Sequence, residues 1–340
     1  MGPVFATLSF LLSAWLTRHF CRTDSWLRVL DYPNERSLHT RPVPRTGGLA
    51  ILAAISVCAI PAAVLAQQIH ALAWLGGGGL LLSLVSFYDD HSSLHPGYRL
   101  AAHIAVAALL IYGGFTLPGM DLPGLSWEWS AGVGAILSLL FVVWMVNLYN
   151  FMDGMDGFAA GMAVSGFSGL AALGWLAGNM PFATASLIVA AAAAGFLVFN
   201  FPPARIFLGD VGSSLLGFLA AGFSLWGVRD GVFPLWAALV IFSPFIVDAT
   251  VTLVRRAARG ERLWLAHKTH YYQRLVQLGW GHKKTVAWEY LLFLACMLSA
   301  VWGVRQAPAT QWLVLLFWVL CYPALMWLVS RLERRQTAPA

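Results

Sequence analysis

Apolar stretches of about 17–20 residues recur from one end of this 340-residue chain to the other. Each is long enough to cross roughly 30 Å of hydrocarbon as a helix. A soluble core is excluded because too little polar sequence remains to cover it: 59% of residues are hydrophobic and 11% charged, whereas soluble domains carry about a quarter charged. The pattern predicts an all-α polytopic integral membrane protein with about 11 transmembrane helices. The spans fall near 2–18, 47–66, 70–88, 99–117, 131–149, 158–177, 181–199, 212–228, 233–252, 286–303 and 311–330. The first has no basic residue ahead of it and no clean cleavage motif, so it reads as a retained helix. Cys21, Cys58, Cys296 and Cys321 are scattered without metal spacing and read as single thiols.

An odd number of crossings puts the two termini on opposite sides, and positive charge decides which is which. Of the 21 basic residues, all but Arg229 and Arg305 fall on one side. That side is the cytoplasm, with the N-terminus periplasmic and the C-terminus cytoplasmic. The cytoplasmic loops are then about 19–46, 89–98, 150–157, 200–211 and 253–285, and residues 1–340 read as a single transmembrane catalytic domain. Pro33, Pro42 and Pro44 predict an ordered, non-helical first loop. Its Arg28, Asn34, Arg36, His39 and Arg41 suit either anionic lipid or an anionic substrate.

Carboxylates at the ends of apolar spans are expensive, so a chain that repeats them uses them. Asp89 and Asp90 end the third span and point about 100° apart on a helix. Crowding two acids raises at least one pKa, which suits a base or a metal-associated acid. After the fifth span, Asn147, Asn150, Asp153 and Asp156 step by three, which on continuous helix makes one stripe of oxygen ligands. Such ligands suit a hard divalent cation of the kind that accompanies diphosphates. Asp210, Gly212 and Ser213 open the eighth span, where helix N–H groups favour an anion or an ordered carboxylate, and Arg205 adds a phosphate contact. His267 and His270 flank Lys268 beside Tyr271 and Tyr272, a set suited to a nucleotide diphosphate or to a headgroup interface. Asp248 either shares the same cavity or pairs with Arg255 or Arg256. A transporter would place acids mid-membrane and charge on both faces; here the acids crowd one face. The CDP-alcohol phosphatidyltransferase spacing is not completed after Gly157.

Taken together, Asp89-Asp90, Asn147-x-x-Asn150-x-x-Asp153-Gly-x-Asp156-Gly157, Pro203-Ala-Arg-Ile-Phe-Leu-Gly-Asp210-x-Gly-Ser213 and the late histidine loop resemble one family. It is the polyprenyl-phosphate N-acetylhexosamine-1-phosphate transferases, glycosyltransferase family 4, and the likeness covers about 45–285. The resemblance implies transfer of a sugar 1-phosphate from a UDP-N-acetylhexosamine to undecaprenyl phosphate, with release of UMP, at the cytoplasmic face of a bacterial inner membrane. It implies Mg²⁺, or Mn²⁺ in its place, held by Asp210 with Asn150. Asp89 would be the base for the lipid phosphate, with Asp90 beside it. Asp153 and Asp156 would organise the nucleotide-sugar pocket, and Asn147, Arg205, His267, Lys268 and His270 would bind substrate. One displacement and a covalent intermediate both stay open, as does a homodimer; the lipid bilayer is a partner and nucleic acid is not. His91-Ser92-Ser93-Leu94-His95 after the acid pair, and only two late histidines, look more like the branch that starts O-antigen, enterobacterial common antigen or teichoic linkage units. The peptidoglycan-precursor phospho-N-acetylmuramoyl-pentapeptide transferase is the alternative.

Overall fold

The computed structural model describes residues 1–22, 29–33, 42–92, 94–262 and 267–337. Arg28, Asn34, Arg36, His39 and Arg41 of the first connection lie outside the described residues. The chain is mostly helical. α1 (Gly2–Phe20) and α2 (Gly47–Leu65) come first, and α3 (Ile69–Ala71) runs through a π turn (Leu72–Gly76) into α4 (Gly77–Ser92). There follow α5 (Pro96–Tyr112), α6 (Ala131–Met152), α7 (Phe158–Leu176), α8 (Met180–Asn200) and α9 (Gly209–Arg229). The last third holds α10 (Leu235–Ile241), α11 (Ser243–Ala258), α12 (Tyr271–Leu275), a second π turn (Val276–Trp280), α13 (Gly281–Gly303) and α14 (Pro308–Thr337). Two small antiparallel ladders complete the chain: β1 (Leu30–Asp31) with β2 (Val43–Pro44), and β3 (Gly119–Leu122) with β4 (Leu125–Glu128).

Among the described residues, eight helices are long and apolar enough to cross a membrane, or nine if α10 and α11 count as one. This is the architecture of a multi-pass membrane protein. α9 is its axis: 94% of its apolar stretch is buried, against 22% for the peripheral α14. α9 packs against α4, α6 and α2. Its small residues, Gly212, Ser213, Ser214, Gly217, Ala220 and Ala221, allow that close approach, since apolar attraction alone does not drive helices together in lipid. The α2–α9 crossing brings backbone against backbone. A Cβ on Gly48 would lie 2.2 Å from the Gly212 nitrogen. Serines tie α1 to α8, with Ser9 Oγ donating to the Ile188 carbonyl (3.0 Å) and Ser13 Oγ to that of Ala192 (2.7 Å).

The structure departs from the sequence reading in three places. The span expected at 233–252 is broken, with α10 and α11 meeting at 78°. Pro244 sits in the first turn of α11, where a missing N–H is harmless and a new helix direction can start. The loop expected at 253–285 is largely helical, since α11 runs on to Ala258 and α12, the π turn and the start of α13 fall within it. Finally, α6 ends at Met152 and Asp153 is its C-cap, so the stripe expected along Asn147, Asn150, Asp153 and Asp156 is helical only in its first half.

Candidate active site

One end of α9 gathers most of the polar groups singled out from sequence. The entry to α2 is built there from backbone alone. Thr46 gives no side-chain cap, and the first N–H groups of α2 are taken up by a neighbouring loop. Gly47 N–H donates to the Phe207 carbonyl (3.0 Å), Gly48 N–H to that of Leu208 (2.8 Å), and Phe207 N–H returns to that of Pro44 (2.7 Å). These bonds satisfy donors that a helix start otherwise leaves unpaired, and they lock Arg45 against the start of α9. Gly209 has φ +73°, and a Cβ there would meet the Arg45 carbonyl at 2.2 Å and Asp90 Oδ2 at 3.4 Å. No L side chain suits that backbone or that space.

Asp89 and Asp90 lie in the last turns of α4 and face different partners. Asp89 accepts the Leu94 N–H (2.6 Å) and pairs with Arg99 of α5 (3.3 Å). Asp90 meets Arg45, with Arg45 Nε 3.4 Å from Oδ1 and Nη2 donating to the Asp90 carbonyl. Asp210, in the first turn of α9, lies within electrostatic reach of Asp89 and Asp90, and the cations acting on it are Arg99 and Arg45. Asp153 joins them from the α6–α7 turn. Burial, and then the charges of Asp210, Asp90 and Asp156, push its carboxyl well above the usual carboxylate range. Asn150 braces the group: its Oδ1 accepts from Ser213 Oγ (2.5 Å) and Ser214 Oγ (3.3 Å), fixing α6 to the first turns of α9.

Asp156 is held on both oxygens. Oδ2 accepts the Ala204 N–H (3.0 Å), and Oδ1 lies 3.1 Å from His282 Nδ1. Asn200 locks the same turn, accepting the Gly157 N–H (2.9 Å) and donating to the Ile206 carbonyl (2.8 Å). Arg205 is exposed in that loop, next to Ala204. Asn147 sits one turn below Asn150 and bonds inside the bundle, to the Val143 carbonyl (2.7 Å) and His103 Nδ1 (3.2 Å). His282 and Asn200 were missed from sequence. Asn200 carried the signal that found the acids, a polar side chain closing an apolar span; His282 carried none.

The histidine segment reaches the cluster through α12. Tyr272 Oη donates to the Phe151 carbonyl (3.3 Å), and the His270 ring stacks over Phe151 at 6.4 Å. Asp248 bonds to the start of α12 and not to Arg255 or Arg256. Its carboxylate accepts from Tyr271 N–H (3.0 Å), Tyr272 N–H (3.2 Å), Thr252 Oγ1 (3.1 Å) and His270 Nδ1 (3.3 Å). It thus supplies from a distant helix the anion that the start of α12 needs. His267 packs on His270 with ring centroids 4.8 Å apart, and burial, then His270 and Arg256, push its pKa down to about 4. A contact it makes near neutral pH is therefore as an uncharged imidazole. Lys268 is not brought to the acids; it lines a separate cavity. Asp248→Ala should release α12, because each buried donor left unpaired costs about 1–3 kcal/mol. Limited trypsinolysis should then cut at Lys268 or Arg274 faster than in the parent, and an unchanged rate would refute the anchoring role.

Asp90 Oδ1 is buried and makes no hydrogen bond, and three other carboxylates, Asp89, Asp153 and Asp210, stand near it with Arg45 and Arg99 as the nearby cations. Among the described residues no group of three or more His, Cys, Asp or Glu closes on one point as a metal cage. The set nevertheless fits Mg²⁺, which keeps several waters and takes one or two carboxylates plus substrate phosphates.

A model of glycosyl transferase family 4 matches residues 71–228. Over 293 residues the chain is 30% identical to a probable undecaprenyl-phosphate N-acetylglucosaminyl 1-phosphate transferase of Bacillus subtilis (strain 168), covering 84% of this chain and 80% of the relative. A decaprenyl-phosphate N-acetylglucosaminephosphotransferase of Mycolicibacterium smegmatis is 31% identical, with 82% and 78% covered. The undecaprenyl-phosphate alpha-N-acetylglucosaminyl 1-phosphate transferase of Escherichia coli (strain K12) is 25% identical, with 86% and 82% covered.

Proposed function

The chain belongs to glycosyl transferase family 4, and from that premise we propose that it moves N-acetylglucosamine 1-phosphate, or that of a related N-acetylhexosamine, from a UDP-sugar to undecaprenyl phosphate. The lipid phosphate oxygen becomes bonded to the phosphorus that carries the sugar, the P–O bond to UMP breaks, and UMP leaves. The product is the lipid-linked diphosphate sugar that starts a surface polysaccharide of the O-antigen or common-antigen kind. The chain crosses a bacterial inner membrane eleven times, with the acid cluster on the cytoplasmic face.

The observation that carries this reading is the meeting of Asp89, Asp90, Asp153 and Asp210 with Arg45 and Arg99 at one end of α9. Two anionic phosphates can approach only where charge is neutralised and the attacking oxygen is held in line. Arg45 and Arg99 neutralise and orient the phosphates, and Arg205 adds a contact from the rim. Asp89, itself held by Arg99 and the Leu94 N–H, takes the proton of the lipid phosphate. Asp156, braced by Ala204 and His282, shapes the nucleotide-sugar pocket together with Asp153, and His267 and His270 border it. Asp210 would hold Mg²⁺, with Asn150 beside it, and an ion held there would supply positive charge to offset that of the diphosphate. An apolar cavity of about 700 Å³ between α1, α2, α4, α8 and α9 suits the isoprenoid tail.

The test is transfer of radiolabel from UDP-N-acetylglucosamine to undecaprenyl phosphate by the purified enzyme, with UMP measured in parallel. Label should enter the lipid fraction with equimolar UMP, disappear with EDTA and return with Mg²⁺. No lipid product across a panel of UDP-N-acetylhexosamines would end the proposal, and activity that survives EDTA would remove the ion from it.

A further inference from the structure

A second cavity, of about 400 Å³, lies between α11, α12 with its π turn, and the end of α14. Arg255, Arg256, Arg259, Lys268 and Arg274 line it with a single carboxylate, Glu333. Part of this charge is structural. Buried Arg256 donates to Glu261 (2.7 Å) and to the Arg262 carbonyl (2.9 Å), and Arg274 pairs with Glu333 (2.5 Å) and donates to Ser330 Oγ (3.0 Å). Arg255 donates to Tyr271 Oη, and Arg274 stacks over the Tyr271 ring at 4.4 Å. Arg259 reaches Glu261 only at 3.8 Å, with its side chain 59% exposed. Five cations against one carboxylate give the lining a positive formal charge.

It is not part of the acid cluster. α12 stands between them, with Tyr272 turned to Phe151 and Tyr271 turned to Arg255 and Arg274. The cations acting on Asp210 are Arg99 and Arg45, none from this pocket.

The pocket also lies at the edge of the apolar belt. Val254 on α11 and Trp327 and Leu328 on α14 are exposed within about two helical turns of it. Arg331 lies over the Trp327 ring at 5.1 Å, a pairing of the kind found at the membrane interface. A soluble anion would gain nothing from that apolar flank, whereas a lipid uses both parts. We infer that this pocket binds the phosphate headgroup of an anionic phospholipid, its chains lying along α11 and α14. The inference goes beyond the transferase reading and does not depend on it.

The experiment uses the full chain purified in neutral detergent, with phosphatidylglycerol or phosphatidylcholine added and bound lipid counted by native mass spectrometry. Phosphatidylglycerol should stay bound preferentially. R255Q/R259Q should retain it on the order of thirty-fold more weakly, from the loss of two headgroup-level cations, and R259K should retain it like the parent. If the double variant does not fold, R259Q alone decides, with an expected weakening of roughly five-fold. Equal retention by parent and variants would overturn the inference. So would displacement of phosphatidylglycerol by inorganic phosphate or UDP together with a raised KM for the UDP-sugar in R259Q, which would assign the pocket to a soluble anion.

Discussion

Asp210→Asn should leave the protein folded and lower lipid-product formation by about 10²–10³-fold, the usual effect of removing one group that stabilises charge in a transition state. The substitution keeps the size and shape of the side chain. It removes the one carboxylate that the first turn of α9 presents to Asp89, Asp90, Arg45 and Arg99. A neutral amide there can neither hold a hard cation well nor balance the two arginines. Parallel assays of UMP release and lipid labelling should fall together, while the thermal midpoint in detergent stays near that of the parent. Activity within about three-fold of the parent would show that Asp210 makes no interaction specific to the transition state.

The second large effect needs no catalytic residue. Gly48→Ala places a methyl group 2.2 Å from the Gly212 nitrogen and 2.5 Å from its Cα, both backbone atoms that cannot swing aside. Overpacking of this kind costs about 1–3 kcal/mol, so the midpoint of unfolding should drop. Activity should fall further than stability does. The same crossing sets the position of Asp210, and a displacement of about 1 Å at a reacting site can cost on the order of 10²-fold. Gly132→Ala in α6 is the matched control, also a glycine in an apolar helix, where the added methyl meets nothing within 4 Å. It should be neutral, or stabilising by up to about 1 kcal/mol from helix propensity. Equal behaviour of the two variants would refute the view that the α2–α9 contact positions the site.

The candidate site was legible in the sequence to the extent that its groups are costly where they stand. Asp89, Asp90, Asn150, Asp153 and Asp210 stand at the ends of apolar spans, and the structure gathers them at one end of α9. Arg45 and Arg99 entered the sequence reading only as charges that orient the chain, because an arginine beside a span is ordinary. Their pairing with Asp90 and Asp89 needs residues 45 and 10 positions away in the chain. His282 gave no warning, since its partner Asp156 lies on another helix connection 126 residues earlier.

Hydropathy alone determined that the chain is helical and multi-pass, because in hydrocarbon only a helix or a closed barrel satisfies every backbone group. It also marked the polar residues too expensive to be incidental. Tertiary structure decided which of them meet. Asp248 became the anchor of α12 because the bend at Pro244 carries α11 to the start of that helix. Lys268 fell in the cavity lined by Arg255, Arg259 and Arg274, where Tyr271 meets Arg255, while the adjacent Tyr272 bonds to Phe151. Local pattern records the cost of burying a group; the partner that offsets the cost comes from a distant segment, and only the packing of the helices selects it.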